Sequence, residues 1–112
     1  MYEKNKIKQV FQFLQDMGFT VRDSKNCVEY VKCNLTLELH FDSNYLDKHM
    51  YIVINSKFGR HNLFDSNIFN NSERTRYNKE LEHMEILFDL QQHFVFYSNI
   101  IKNKLDDLLK LT

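Results

Sequence analysis

Leu35-Thr36-Leu37-Glu38-Leu39-His40-Phe41-Asp42 alternates apolar and polar residues without a break. Successive side chains of a β-strand point to opposite faces, so the stretch reads as a strand. Leu35, Leu37, Leu39 and Phe41 then lie on a buried side, with Thr36, Glu38, His40 and Asp42 on the other. A slip of one residue would exchange the two sets, so the register of each neighbouring strand can be inferred from this one.

Residues 19–22, 27–32 and 49–55 are three further strand candidates, joined by short polar segments at 23–26, 33–34 and 43–48. Short connections favour an antiparallel meander. Setting Phe41 opposite Met50, Leu39 opposite Ile52 and Leu37 opposite Ile54 gathers apolar residues on one side. A tight turn at Cys33 and Asn34 sets Tyr30 opposite Leu37 and Val28 opposite Leu39, and the first hairpin sets Val21 opposite Val28 and Phe19 opposite Tyr30. Turns chosen independently agree on one buried face.

Before the strands, Ile7, Val10, Phe11, Leu14 and Met17 recur at helical spacing over 3–17, and Gly18 stands where a left-handed cap would end a helix. After them, residues 57–71 carry Phe58, Leu63, Phe64, Ile68 and Phe69, too apolar for a solvated loop; a short helical turn or a fifth strand would let part of the segment pack down. Residues 72–112 are helical in pattern, but one helix of about 40 residues would run about 60 Å, too long for a domain of this size. A break is expected near Asp89, where Asp89-x-x-Gln92 reads as a capping box. The second helix then presents Tyr77, Leu81, Met84 and Phe88, and the third Phe94, Tyr97, Ile101, Leu105 and Leu108. The predicted fold is α+β, a single domain over 1–112: an N-terminal helix, a four-stranded antiparallel meander sheet, and two C-terminal helices packed on one sheet face.

Composition narrows the function classes. Ten Phe and six Tyr in 112 residues supply enough apolar surface for one core. Lys and Arg total 15 against 15 Asp and Glu, so no global field draws the chain to nucleic acid or to an anionic membrane. The N-terminus lacks a signal-peptide core and no window approaches the roughly 18 apolar residues of a membrane span, which gives a cytoplasmic expectation. Cys27 and Cys33, placed on one strand with Cα atoms about 20 Å apart, cannot pair with each other, which suits a reducing compartment. With only Gly18 and Gly59 and no P-loop, dinucleotide pattern, His-Glu-x-x-His or nucleophile elbow, the chain is expected to hold no cofactor and to be no enzyme. His83 and His93 lie ten residues apart across the expected helix break and share no helix face, so no metal site is expected.

The face opposite the core gathers Arg22, Cys27, Glu29, Glu38, His40, Asp42, His49 and Tyr51, with Glu29 opposite Glu38, Cys27 opposite His40 and Asp42 opposite His49. A sheet with one solvated face is polar there by necessity; the chemical readings are a binding face, or a histidine beside a carboxylate acting as general base. Cys27 near His40 suggests a thiol nucleophile, but no oxyanion-hole loop accompanies the pair. Arg60 and His61 beside Phe58 and Phe64 form a loop cluster of the kind found at interfaces. On the second helix Glu82, Glu85 and Asp89 make an acidic stripe, while Lys57, Arg60, Arg74, Arg76 and Lys79 lie upstream.

Phe13-Leu14-x-x-Met17-Gly18-Phe19, Leu37-x-Leu39-x-Phe41-Asp42, Met50-x-Ile52-x-Ile54 and a terminal Leu105-x-x-Leu108-Leu109 together make a layout that resembles small immunity proteins. These accompany bacterial polymorphic toxins, including contact-dependent growth inhibition systems. Many such inhibitors are distinctly acidic, whereas this chain is neutral. The resemblance implies an antitoxin that binds a cognate protein toxin and occludes it. Its expected contact residues are Glu29, Glu38, His40, Asp42, His49, Tyr51, Arg60, His61, Glu82, Glu85 and Asp89. A second copy could also cover the outer face. Two other classes compete. A small nucleic-acid-associated or regulatory module would use Arg60 and the basic residues of 74–79, and an enzyme built on Glu29, Glu38 and His40 would need a pocket over that face.

Overall fold

The computed structural model describes residues 2–24, 26–44, 47–85 and 90–112, with the side chains of 2–3, 42–44, 47–49, 85 and 90 outside the description. Alternation produces the expected antiparallel sheet, enlarged by one strand. Strands β1 (Thr20–Ser24), β2 (Cys27–Lys32), β3 (Leu35–Asn44), β4 (Asp47–Ser56) and β5 (Gly59–Asn62) lie side by side in chain order. Leu37↔Ile54, Leu39↔Ile52, Phe41↔Met50, Tyr30↔Leu37 and Val28↔Leu39 pair as the sequence predicts, as do Glu29↔Glu38, Cys27↔His40 and Asp42↔His49. Cys33 takes the tight-turn role in the left-handed region, at φ +53°.

Two corrections concern the sheet. The first hairpin closes at Ser24↔Cys27 instead of looping over 23–26, so Val21 faces Tyr30 and Asp23 faces Val28, two residues from the expected pairing. A slip of two keeps each side chain on its face, so the hydrophobic pattern could not detect it. Phe19 lies outside the strand, its N–H donating to Leu14 O at 3.0 Å. The fifth strand, β5, follows a tight turn at 57–58, with Gly59 at φ +114°. A 3-10 turn (Leu63–Asp65) comes next, so the segment forms both elements that its apolar content allowed.

The helical elements also divide differently. The first is interrupted at Phe11, giving α1 (Tyr2–Val10) and α2 (Gln12–Asp16), and ends at Gly18 with φ +98°. Then come α3 (Asn71–Glu85), α4 (Leu90–Asn103) and α5 (Leu105–Leu109). The start of α3 carries a reciprocal capping box: Asn70 N–H donates to Glu73 Oε1 at 3.0 Å and Glu73 N–H to Asn70 Oδ1 at 2.8 Å. The box expected at Asp89 lies outside the described residues.

Only one of the C-terminal helices spreads over the sheet. On α4, His93, Phe94, Tyr97, Ser98, Ile100 and Ile101 are buried, a stripe wide enough to cover β4 while α1 packs alongside. Helix α3 instead rests on α4: Tyr77 is its one buried side chain among those described, with Phe64 at 5.8 Å and Phe96 at 6.2 Å. Leu81 and Met84 are half-buried and Phe88 lies outside the described residues, so among the described residues α3 packs on α4, against the expectation that both helices lie on the sheet. Lys8 to Asp23 at 2.9 Å ties α1 to β1, and Lys104 to Glu73 at 2.7 Å ties the end of α4 to α3. No described helix is long and apolar enough to cross a membrane.

Candidate functional site: the outer face of the sheet

Pairing alone determines which polar residues meet on the face away from the helices. One row runs Arg22, Glu29, Glu38, Val53 and Asn62 across all five strands; a second runs Ser24, Cys27, His40 and Tyr51. Glu29 and Glu38 are directly opposed, which is unfavourable between like charges. Each carboxylate is answered from an edge strand. Arg22 Nη2 donates to Glu29 Oε2 at 2.8 Å, and Arg60 grips Glu38 through Nε to Oε2 at 3.1 Å and Nη2 to Oε1 at 2.9 Å. The result is an Arg-Glu-Glu-Arg line with carboxylates inside and guanidinium groups outside. Fork-on-carboxylate geometry gives the Arg60 contact its direction. Hydrogen bonding from Arg60, joined by His40, holds the Glu38 carboxyl below the usual carboxylate range despite its burial.

His40, in the second row, reaches across to the first. Its Nε2 lies 3.0 Å from Glu38 Oε1, and its ring stacks on Tyr51 at 4.7 Å with 6° between planes. The same nitrogen stands 3.9 Å from Cys27 Sγ. A carboxylate accepts only from a protonated nitrogen, so Nε2 donates to Glu38 and has no lone pair to take the Cys27 proton. Burial, reinforced by Glu29 and Glu38, pushes the Cys27 thiol up to about 11. A nucleophilic thiolate needs the opposite environment, so the geometry argues against Cys27 as a nucleophile.

The other contact residues expected from the sequence do not join this cluster. Asp42 and His49 are paired on the same face by register, with their side chains outside the description. Arg60 and His61 separate, because neighbours on a strand face opposite ways. Arg60 reaches the outer face, whereas His61 pairs with Ile54 on the helix side, its Nε2 3.3 Å from Phe58 O. The expected cluster of Arg60, His61, Phe58 and Phe64 therefore does not exist as one surface: Phe64 is buried and Phe58 is exposed. Glu82 is exposed on α3, in the helical layer and so across the sheet from the Glu38 line; the Glu85 side chain and all of Asp89 lie outside the described residues. His83 is exposed on α3 while His93 is fully buried on α4.

Sequence reasoning named Glu38 and Arg60 separately but missed their union. The signal was present in Gly59, which follows a tight turn and starts the strand that delivers Arg60. The upstream basic residues are engaged elsewhere. Arg74 donates to Phe64 O at 2.6 Å, Ser66 O at 3.0 Å and Asn71 Oδ1 at 2.9 Å, and Arg76 lies 4.7 Å over the Tyr77 ring.

No protein-family model, curated protein or solved structure matches this chain. Its function is therefore argued from surface chemistry.

Proposed function

We propose that this chain is an immunity protein that binds a cognate bacterial toxin domain through the outer face of its sheet and neutralises it by occlusion. One observation carries the reading: the Arg22-Glu29-Glu38-Arg60 line, with His40 and Tyr51 stacked beside it, is a preorganised ionic surface on which no described helix packs. Such a surface suits recognition of a protein with alternating charge, and its arginines and Tyr51 are residue types that dominate interface energetics. Among the described residues, two open grooves of about 310 Å³ and 330 Å³ are lined by residues away from this line. Use of the basic residues for nucleic acid is disfavoured, since Arg74 and Arg76 are held by partners in the helical layer and each outer-face arginine is neutralised by a glutamate, which leaves no basic patch there.

The test is capture from a lysate of the native host with tagged protein, with and without nuclease. The expected result is one stoichiometric protein that survives nuclease, arrests growth when expressed alone, and is neutralised by co-expression of this chain. Glu29→Lys combined with Arg60→Glu should weaken that capture at least tenfold, while Glu82→Lys leaves it unchanged. Rescue that ignores the outer-face pair, or capture of nucleic acid alone, would sink the proposal.

A further inference from the structure

On the helix side of the sheet, beyond the cover of α4, the β4–β5 hairpin ends in an open groove of about 310 Å³. Ile54, Ile68 and Leu111 make its apolar wall, His61 and Asp65 its polar rim, and Phe58 its lip. Phe58 is 67% exposed, well beyond what a phenyl ring keeps in a packed fold. Asp65 is exposed in the 3-10 turn, and no hydrogen bond or ion pair reaches its carboxylate among the described residues. Strand β5 is an edge of the sheet with all four residues exposed.

We infer that this groove receives a lysine or arginine side chain from an extended segment of a partner protein that adds to the sheet along β5. The inference goes beyond the outer-face reading, because the groove lies across the sheet from the Glu38 line. A strand laid against β5 sends alternate side chains to the side where His61 lies, which is the side of the groove. A long cationic side chain matches what waits there. Its methylene stem covers Ile54, Ile68 and Leu111, and its charge meets Asp65. Lys57 Nζ stands 5.3 Å from the Phe58 ring centroid, so an incoming cation that uses this ring must displace Lys57 from it. An apolar occupant would desolvate Asp65 without compensation, and an acidic one would set like charges together.

The experiment is a titration of the isotope-labelled full chain, followed by its amide spectrum, with the blocked peptides acetyl-Thr-Val-Xaa-Val-Thr-amide in which Xaa is Arg, Lys, Gln or Glu. Saturable shifts confined to residues 54–68 and to Leu111 are expected for the Arg and Lys peptides, with binding about tenfold weaker or worse for Gln and Glu. Asp65→Asn should remove the preference for a cation, and Phe58→Ser should weaken the Arg peptide several-fold; each variant's own spectrum reports that it is folded. Glu82→Gln, exposed on α3, should leave peptide binding unchanged. Equal binding of the Glu peptide, shifts centred on the outer face, or no saturation at millimolar peptide would overturn the inference. An Arg peptide that binds well ahead of the Lys peptide would indicate fork-like pairing with Asp65 over a point-charge contact.

Discussion

The two faces of this sheet come from the same alternation and are held together by different physics. On the inner face, Leu37, Leu39, Ile52 and Tyr30 are completely buried, and what matters there is volume and apolar area. On the outer face, Glu38, His40 and Arg60 are held by direction: forks, a shared nitrogen and a stacked ring. Contact on the inner face is non-directional and insensitive to salt or acid. The outer network is partly exposed, partly screened and proton-dependent. A binding surface belongs on the second kind of face, because its groups can exchange partners at modest cost to stability.

Leu39→Ala tests this contrast most severely. The side chain lies at the centre of the sheet with no exposure, and its removal should destabilise the fold by about 3–5 kcal/mol in chemical denaturation, with the transition slope unchanged. A loss below about 1 kcal/mol would show that the inner face is loosely packed.

Arg74→Met is expected to fall between the two faces in size. Arg74 straps the apolar connection to α3 through the carbonyls of Phe64 and Ser66, and losing charge-assisted bonds to part-buried oxygens should cost about 1.5–3 kcal/mol. The effect should persist in high salt, unlike that of an exposed ion pair.

The smallest effect is expected for Glu38→Gln, below about 1 kcal/mol at neutral pH and shrinking in high salt. Its pH dependence is the sharper readout. Because Glu38 ionises at lower pH in the folded chain than in the unfolded chain, it favours folding fully above the ordinary value of 4.5. That contribution disappears as pH falls through the lowered folded value. The wild-type and Glu38→Gln stability curves should therefore converge in acid. A gap that widened in acid would contradict the pairing with Arg60.

Legibility followed sequence separation. The pairings of β2 with β3 and of β3 with β4 are readable, because alternation fixes the face and the short turn fixes the register. The first hairpin is readable as to face and not as to register, since pairings two residues apart are hydrophobically equivalent. The arrangement of α3 escapes a reading by period, because period alone does not say how wide a stripe must be to lie on a sheet. At the candidate site, Glu29 opposite Glu38 and Cys27 opposite His40 are visible from register. The Arg60 contact is not, because it depends on β5 forming at all.

Local alternation and short turns were enough to establish that there is a sheet, which side of it is buried and which polar residues share its outer face. They could not establish that Arg60 closes on Glu38, that His61 is turned to the opposite side, or that α4 rather than α3 covers the sheet. Those outcomes belong to the assembled fold, because distant segments compete for the same surface and no local pattern encodes which segment wins.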